Sequence, residues 1–122
     1  MNPSSRKTVF VVDDDASTLR GVKRLLREYG FDAVLFNSAE ALRTHDHFDE
    51  ACCIILDINL HDESGIDLRR QLTAAGISLP VIFITGNDND MTRKAALESG
   101  CVAYLTKPFA AKSLIDPLRM AS

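Results

Sequence analysis

The sequence has 122 residues, a mass of 13.4 kDa and a formal net charge of −3, which is the size of one ordinary domain. Hydrophobic residues make up 46% of the chain and charged residues 25%, which excludes a disordered tail. No apolar run approaches the roughly 20 residues of a membrane span, and the polar first residues lack a signal core. We therefore expect a single cytoplasmic domain over residues 1–122, without direct binding to a membrane or to nucleic acid.

Apolar runs alternate along the chain with segments of helical periodicity. Five strands are predicted, at residues 9–12, 31–36, 52–56, 81–84 and 102–105. Glycines are expected to stop the first, third and fourth helices, at Gly30, Gly76 and Gly100. Ser17 is the predicted N-cap of the first helix. The last helix, at residues 111–118, is expected to kink or end at Pro117.

The alternation of strands and helices predicts an α/β fold. Strands that are apolar on both faces are typical of a parallel sheet covered by helices on both sides. For five βα units of this size we expect the flavodoxin-like strand order 2-1-3-4-5. Ligands of such sheets bind at the carboxyl ends of the strands.

Three cysteines, Cys52, Cys53 and Cys101, lack the spacing of a metal site. We expect them to be reduced thiols in a cytosolic protein. Because Cys52 and Cys53 are adjacent in the third strand, their side chains are predicted to point to opposite faces of the sheet.

Polar residues follow four of the five apolar runs. They are Asp13 and Asp14 after strand one, Asp57 after strand three, Thr85 after strand four and Lys107 after strand five. Since the carboxyl ends of parallel strands share one edge, these side chains are predicted to converge. Each residue alone has an ordinary explanation as a helix cap, a turn former or a solvated lysine. Their joint occurrence predicts a functional site.

The residue types at this edge indicate phosphoryl transfer. Two like charges about 4 Å apart repel by ~4 kcal/mol at an effective dielectric near 20, so three carboxylates need a cation. Oxygen ligands with open water positions suit Mg²⁺. A divalent ion and a lysine together stabilise charge on phosphoryl oxygens, and a carboxylate can itself attack phosphorus to form an aspartyl phosphate.

The sequence resembles the receiver domain of two-component response regulators over essentially its whole length. The motifs are Val11-Val12-Asp13-Asp14, Leu56-Asp57-Ile58-Asn59-Leu60, Ser64-Gly65, Ile84-Thr85-Gly86 and Tyr104-Leu105-Thr106-Lys107-Pro108-Phe109. Each motif is weak alone, but the ordered set is specific. The resemblance implies a phosphorylation-dependent signalling switch of a phosphorelay, not a turnover enzyme, with only self-catalysed phosphoryl transfer and hydrolysis.

The resemblance also implies which residues take part in the chemistry. Asp57 would accept the phosphoryl group from a histidine kinase or a phosphotransfer protein, with Mg²⁺ as cofactor. The metal ligands would be Asp14, Asp57 and the backbone carbonyl of Asn59, with Asp13 acting mainly through water. Lys107 would pair with the acidic cluster and then with the phosphoryl group.

Two further residues resemble the family's switch. Thr85 would bond a phosphoryl oxygen, and the rotamer of Tyr104 would follow Thr85. The surface of the fourth helix, fifth strand and fifth helix would then change shape for an output domain or a partner protein, although no output domain is expected within this chain. Lys107-Pro108 matches the position of the family's cis peptide. A monomer or a weak phosphorylation-dependent dimer is expected.

Some features depart from the family pattern. His61 stands where the family commonly has proline; it could rim the site, but a surface-loop histidine is the favoured interpretation. His45 and His47 flank Asp46 in a polar loop and suggest a metal pair only weakly, because a third ligand at suitable spacing is lacking.

Two alternative functions remain open at this point. The first is a haloacid-dehalogenase-like phosphatase, which also uses a strand-end aspartate and Mg²⁺ but has Asp-x-Asp after its first strand. The second is a nucleotide- or flavin-binding module, which would need a glycine-rich phosphate loop that the sequence lacks.

Overall fold

The computed structural model of the protein describes residues 6–121, in which strands and helices alternate. The strands are β1 (Lys7–Val12), β2 (Phe31–Phe36), β3 (Ala51–Asp57), β4 (Val81–Thr85) and β5 (Ala103–Thr106). The helices are α1 (Ala16–Glu28), α2 (Ala39–Arg43), α3 (Gly65–Ala74), α4 (Asp90–Ser99) and α5 (Ala111–Ala121), and a 3₁₀ turn at Phe48–Glu50 precedes β3. The polar first residues, from which no secretion signal was expected, lie largely outside the described residues.

The five strands form one parallel sheet in the order β2-β1-β3-β4-β5. The predicted α/β fold and its 2-1-3-4-5 order are therefore confirmed. β3 lies in the centre, with β1 and β4 as its neighbours, so the residues that end these strands are close together at one edge.

Each face of the sheet is covered by its own apolar cluster, because successive strand residues point to opposite sides. In β1, Val9 and Val11 belong to the cluster that includes Leu26 of α1 and Leu114 of α5. Phe10 belongs to the opposite cluster, which includes apolar residues of α2, α3 and α4. The two layers hold the strands, and hence the polar residues at their ends, in fixed positions.

The predicted N-cap of α1 was wrong by two residues. Asp15 is the cap: its backbone is extended, and its Oδ1 accepts a hydrogen bond of 2.9 Å from the amide of Ser17. A capping side chain must reach an amide two or three positions ahead, and Ser17 already lies within the first turn. Asp15, the third aspartate of the Asp13–Asp15 run, therefore caps α1.

α5 was expected to kink or end at Pro117, and it does not end there but continues to Ala121. Proline removes one helical hydrogen bond and crowds the carbonyl four residues earlier. Ile115 and Leu118, on either side of it, are buried against the sheet. The burial of these side chains offsets the lost bond.

Cys52 and Cys53 do not point to opposite faces, contrary to the prediction. The register between β1 and β3 shifts so that Thr8 pairs with Ala51 and Val9 with Cys53, which leaves Cys52 as the extra residue of a bulge. Both cysteines contact the same apolar cluster, and both are free thiols.

Candidate functional site

Three carboxylates meet where β1 and β3 end. Oxygens of Asp13, Asp14 and Asp57 lie within 4.8 Å of one another. Asp13 is fully buried and Asp57 is 3% exposed. Backbone amides hold both side chains, since Asp13 Oδ1 accepts from Asp15 at 2.9 Å and Asp57 Oδ1 accepts from Asn59 at 3.0 Å. These bonds engage only the Oδ1 atom of each carboxylate, so the Oδ2 atoms can interact with cationic groups.

The position of α3 depends on a close approach to β3. The amide of Gly65 donates to the carbonyl of Ile58 at 2.8 Å. A Cβ added at Gly65 would lie 2.2 Å from the backbone oxygen of Asp57. Only glycine lets the first turn of α3 pack against the residue that ends the central strand.

Lys107 bridges the two buried carboxylates. Its Nζ donates to Asp13 Oδ2 at 2.7 Å and to Asp57 Oδ2 at 3.5 Å, and the Lys107–Pro108 peptide bond is cis. Burial tends to lower the pKa of Lys107, but the hydrogen bond from Lys107 to Asp13 and the charges of both carboxylates outweigh burial, so the pKa is raised. The lysine is a fixed cation at this edge.

The pKa of Asp57 is shifted upward. Burial is the largest cause, and the nearby charge of Asp13 adds to it. The amide of Asn59 and the ammonium group of Lys107 act in the opposite direction without reversing the shift. The ionised form of Asp57 is therefore less favourable than that of a solvated carboxylate, and a cation beside Asp57 would favour it.

The donor set fits a hard divalent cation. Asp14 Oδ2 is buried and accepts no well-formed hydrogen bond from the described residues, although His61 Nε2 lies 3.2 Å away, within ion-pair range. A buried carboxylate oxygen without a donor is costly unless a cation satisfies it. The potential metal ligands in the cluster of Asp13, Asp14 and Asp57 are carboxylate oxygens, and oxygen ligands are the ones that Mg²⁺ prefers. The predicted ligands Asp13, Asp14 and Asp57 thus meet at one point, and Asn59 follows in the adjoining loop.

Thr85 ends β4 next to this cluster and is fully buried. Its hydroxyl donates to Asn59 Oδ1 at 2.6 Å and accepts from the amide of Asn87 at 3.0 Å. The hydroxyl that the sequence predicted to bind a phosphoryl oxygen is therefore engaged by the side chain of Asn59. The bond between Thr85 and Asn59 was not predicted, because the Asn59 rotamer that reaches Thr85 depends on the path of the loop.

Tyr104 lies on β5, level with Phe83 of β4. Its hydroxyl donates to Asp88 Oδ1 at 2.9 Å. Arg93 donates to Asp88 Oδ2 at 2.7 Å and stacks over the Tyr104 ring, 5.0 Å from its centroid. Burial, followed by the hydrogen bond to Asp88, raises the pKa of Tyr104 to about 12. The contacts of Asp88 and Arg93 with Tyr104 were not predicted, since nothing in the spacing of these residues along the chain connects them.

His61 lies apart from His45 and His47, whose ring centroids are 6.0 Å from each other. His61 is 90% exposed on the side chain and lies beside Asp14, so it is a surface residue that also rims the site. His45 is not in an open polar loop, because its ring packs edge-on against Phe10 at 5.0 Å and Phe36 at 5.2 Å. Within residues 6–121, neither His45 nor His47 belongs to a group that could hold a metal ion.

A family model of the response regulator receiver domain matches residues 9–119. The chain belongs to this family. Nodulation protein W of Bradyrhizobium diazoefficiens is 35% identical over 119 residues, covering 98% of this chain and 52% of that protein. The curated relatives it matches are about twice its length.

Solved structures show the same relationship. The response regulator StyR is 35% identical, with a TM-score of 0.87 over 95% of this chain and 59% of that one. The receiver domain of DrrB, described as BeF3 activated, is 26% identical to this chain. The two structures have a TM-score of 0.81, over 94% of this chain and 96% of that one. The protein is therefore a receiver domain of two-component response regulators, a family of signalling domains. The comparisons do not support the phosphatase alternative.

No helix within residues 6–121 has the length and apolar character to cross a membrane.

Proposed function

We propose that this receiver domain accepts a phosphoryl group on Asp57 and passes the change to the surface formed by α4, β5 and α5. One observation carries the proposal: Asp57 ends the central strand beside two further carboxylates and within reach of Lys107 Nζ, at 3.5 Å. Asp57 contacts Lys107 directly. It is also connected to Thr85 through Asn59, whose amide donates to Asp57 and whose side-chain oxygen accepts from Thr85.

The transfer follows from these positions. A carboxylate oxygen of Asp57 attacks the phosphorus of a phosphohistidine in a histidine kinase or phosphotransfer protein. The new bond joins phosphorus to an Asp57 oxygen, and the bond from phosphorus to the imidazole nitrogen breaks. Its electron pair returns to that nitrogen, and the histidine leaves as neutral imidazole because its other ring nitrogen carries a proton. Lys107 stabilises the charge on the phosphoryl oxygens. In hydrolysis, water attacks the phosphorus of the aspartyl phosphate, the bond between phosphorus and the Asp57 oxygen breaks, and inorganic phosphate leaves while Asp57 regains its carboxylate. We place this relay in the cytoplasm, where the free cysteines stay reduced.

The oxygen donors of Asp14, Asp57 and the backbone of Asn59 would hold Mg²⁺, and Asp13 would contact it through water. Bound there, the ion would neutralise charge on the phosphoryl oxygens. The orphaned Oδ2 of Asp14 supports this assignment.

Output is proposed to depend on Thr85 and Tyr104. A phosphoryl group on Asp57 presents acceptor oxygens, and a bond from Thr85 to one of them would draw its hydroxyl away from Asn59. Tyr104 could then turn into the space beside Thr85. The exposed face that includes Met91 and Val102 would change shape, and an output domain or partner protein would bind it.

Acetyl phosphate with Mg²⁺ tests the phosphoacceptor. Intact-mass analysis should show one added phosphoryl group on the wild type and none on Asp57→Asn, which keeps the shape but lacks the attacking oxyanion. Asp49→Asn is the matched control, because Asp49 is exposed and precedes β3 at the opposite edge of the sheet. It should label like the wild type. Equal labelling of Asp57→Asn would refute the proposal.

A further inference from the structure

Tyr104 is held outward by a closed set of contacts that involves two charged residues. Asp88 accepts a hydrogen bond from Tyr104 on one oxygen, at 2.9 Å, and one from Arg93 on the other, at 2.7 Å. The guanidinium group of Arg93 in turn lies 5.0 Å from the centroid of the Tyr104 ring. Each of the three side chains therefore contacts the other two.

The charges of these groups favour the closed arrangement. The hydrogen bond from Arg93 is the largest cause that lowers the pKa of Asp88, so Asp88 is a carboxylate acceptor throughout the neutral range. Bonds from charged donors or to charged acceptors are stronger than neutral ones, and a guanidinium group over an aromatic face adds a cation–π contact.

The same contacts connect Tyr104 to the residues that follow Thr85. Asp88 lies three residues after Thr85 in the loop between β4 and α4, and Arg93 lies near the start of α4. A Tyr104 rotamer that places the ring beside Thr85 would give up the hydrogen bond to Asp88 and the contact with the Arg93 guanidinium group.

We propose that Asp88 and Arg93 are positioning residues that hold Tyr104 outward and so set how much of the unphosphorylated domain occupies the switched state. This inference rests on the proposed function, since the switched state is the one that a phosphoryl group on Asp57 favours. A ligand that binds only the switched state has an apparent affinity reduced by the fraction of molecules in that state. Loss of the contacts should therefore tighten binding of a phosphoryl mimic, although neither residue belongs to the acidic cluster.

Beryllofluoride with saturating Mg²⁺, titrated into the protein and followed by amide NMR, is the test. Arg93→Gln and Asp88→Ala should each lower the apparent dissociation constant by about threefold to tenfold. The double variant should gain no more than either single variant, because both changes disrupt the same set of contacts. In a Tyr104→Phe background, Asp88→Ala should leave the dissociation constant unchanged, because the phenol that donates to Asp88 is absent.

The matched control is Arg70→Gln. Arg70 also pairs with an aspartate, Asp67, which lies one turn away on α3, and the substitution removes that ion pair. It should leave the dissociation constant within twofold of the wild type. If Arg93 has only a structural role, Arg93→Gln will lower the melting temperature without tightening beryllofluoride binding. That result would overturn the proposal, and so would equal effects of Arg93→Gln and Arg70→Gln on the dissociation constant. Labelling of Asp57 by acetyl phosphate, measured on the same samples, separates this failure from a failure of the proposed function.

Discussion

At the scale of single residues, the site stores unfavourable charge in its metal-free form. Asp57 is buried beside Asp13, and its pKa is raised above the ordinary 3.8 because burial and the second carboxylate outweigh Lys107. Such a group contributes stability below its unfolded pKa, and this contribution is lost as the pH rises through the folded pKa. Ionisation of Asp57 at neutral pH therefore opposes folding.

Asp57→Asn should consequently stabilise the metal-free protein at pH 7. We expect a gain of about 1–2 kcal/mol in the free energy of unfolding, a fraction of the ~4 kcal/mol repulsion between close like charges, since Lys107 offsets the rest. The gain should shrink as the pH falls below the folded pKa and vanish below about pH 3.8. Urea unfolding of both proteins in EDTA across this pH range measures it. A gain that is independent of pH would contradict the assigned cause.

Residues of the site were predictable from sequence to the extent that strand ends determine their positions. Asp57 and Thr85 are the last residues of β3 and β4, and Asp13 and Lys107 directly follow β1 and β5, so the parallel sheet alone brings the four residues to one edge. The bond from Thr85 to Asn59 and the contacts of Tyr104 were not predictable. They depend on loop paths and rotamers that no periodicity records.

At the scale of elements, the strands and most helix ends follow from the sequence because they depend on local pattern. Residues 31–36 form β2 as expected, and Gly100, with φ of 88°, ends α4 in a backbone conformation that favours glycine. The bulge at Cys52 was not predictable, since it depends on how β3 pairs with β1. The continuation of α5 through Pro117 was missed because tertiary burial outweighed local preference.

The contact of α3 with β3 gives a prediction for Gly65. Gly65→Ala would place a methyl group 2.2 Å from the Asp57 carbonyl oxygen, so α3 must shift. We expect a loss of about 1–3 kcal/mol in stability, typical of overpacking, together with slower labelling of Asp57 by acetyl phosphate.

Gly21→Ala is the control for this variant. Gly21 lies within α1, and a Cβ there meets no atom within 4 Å. Alanine should stabilise this helix by about 0.5–1 kcal/mol and leave labelling unchanged. Thermal melts and intact-mass time courses of both variants make the comparison. A Gly65→Ala protein as stable as the wild type would show that the close approach does not constrain α3.

At the scale of the whole molecule, Mg²⁺ binding at the proposed site would be linked to folding. A ligand that binds only the folded state stabilises it by mass action, and Mg²⁺ at ten times its dissociation constant should add ~1.4 kcal/mol. Asp14→Asn and Asp57→Asn should lose most of this gain, because each removes a donor from the cluster. Melts in Mg²⁺ and in NaCl of equal ionic strength separate binding from screening. If both variants gain as much as the wild type, the ion binds elsewhere.

The central claim is that a phosphoryl group on Asp57 changes the α4–β5 surface through Thr85. Amide NMR of the wild type with beryllofluoride and Mg²⁺ should show shifts in two patches, one in the loops of the site and one around Met91, Ala95, Val102 and Tyr104. Thr85→Ala lacks the hydroxyl but keeps Asp57, so it should retain the first patch and lose most of the second. Retention of both patches in Thr85→Ala would contradict the account.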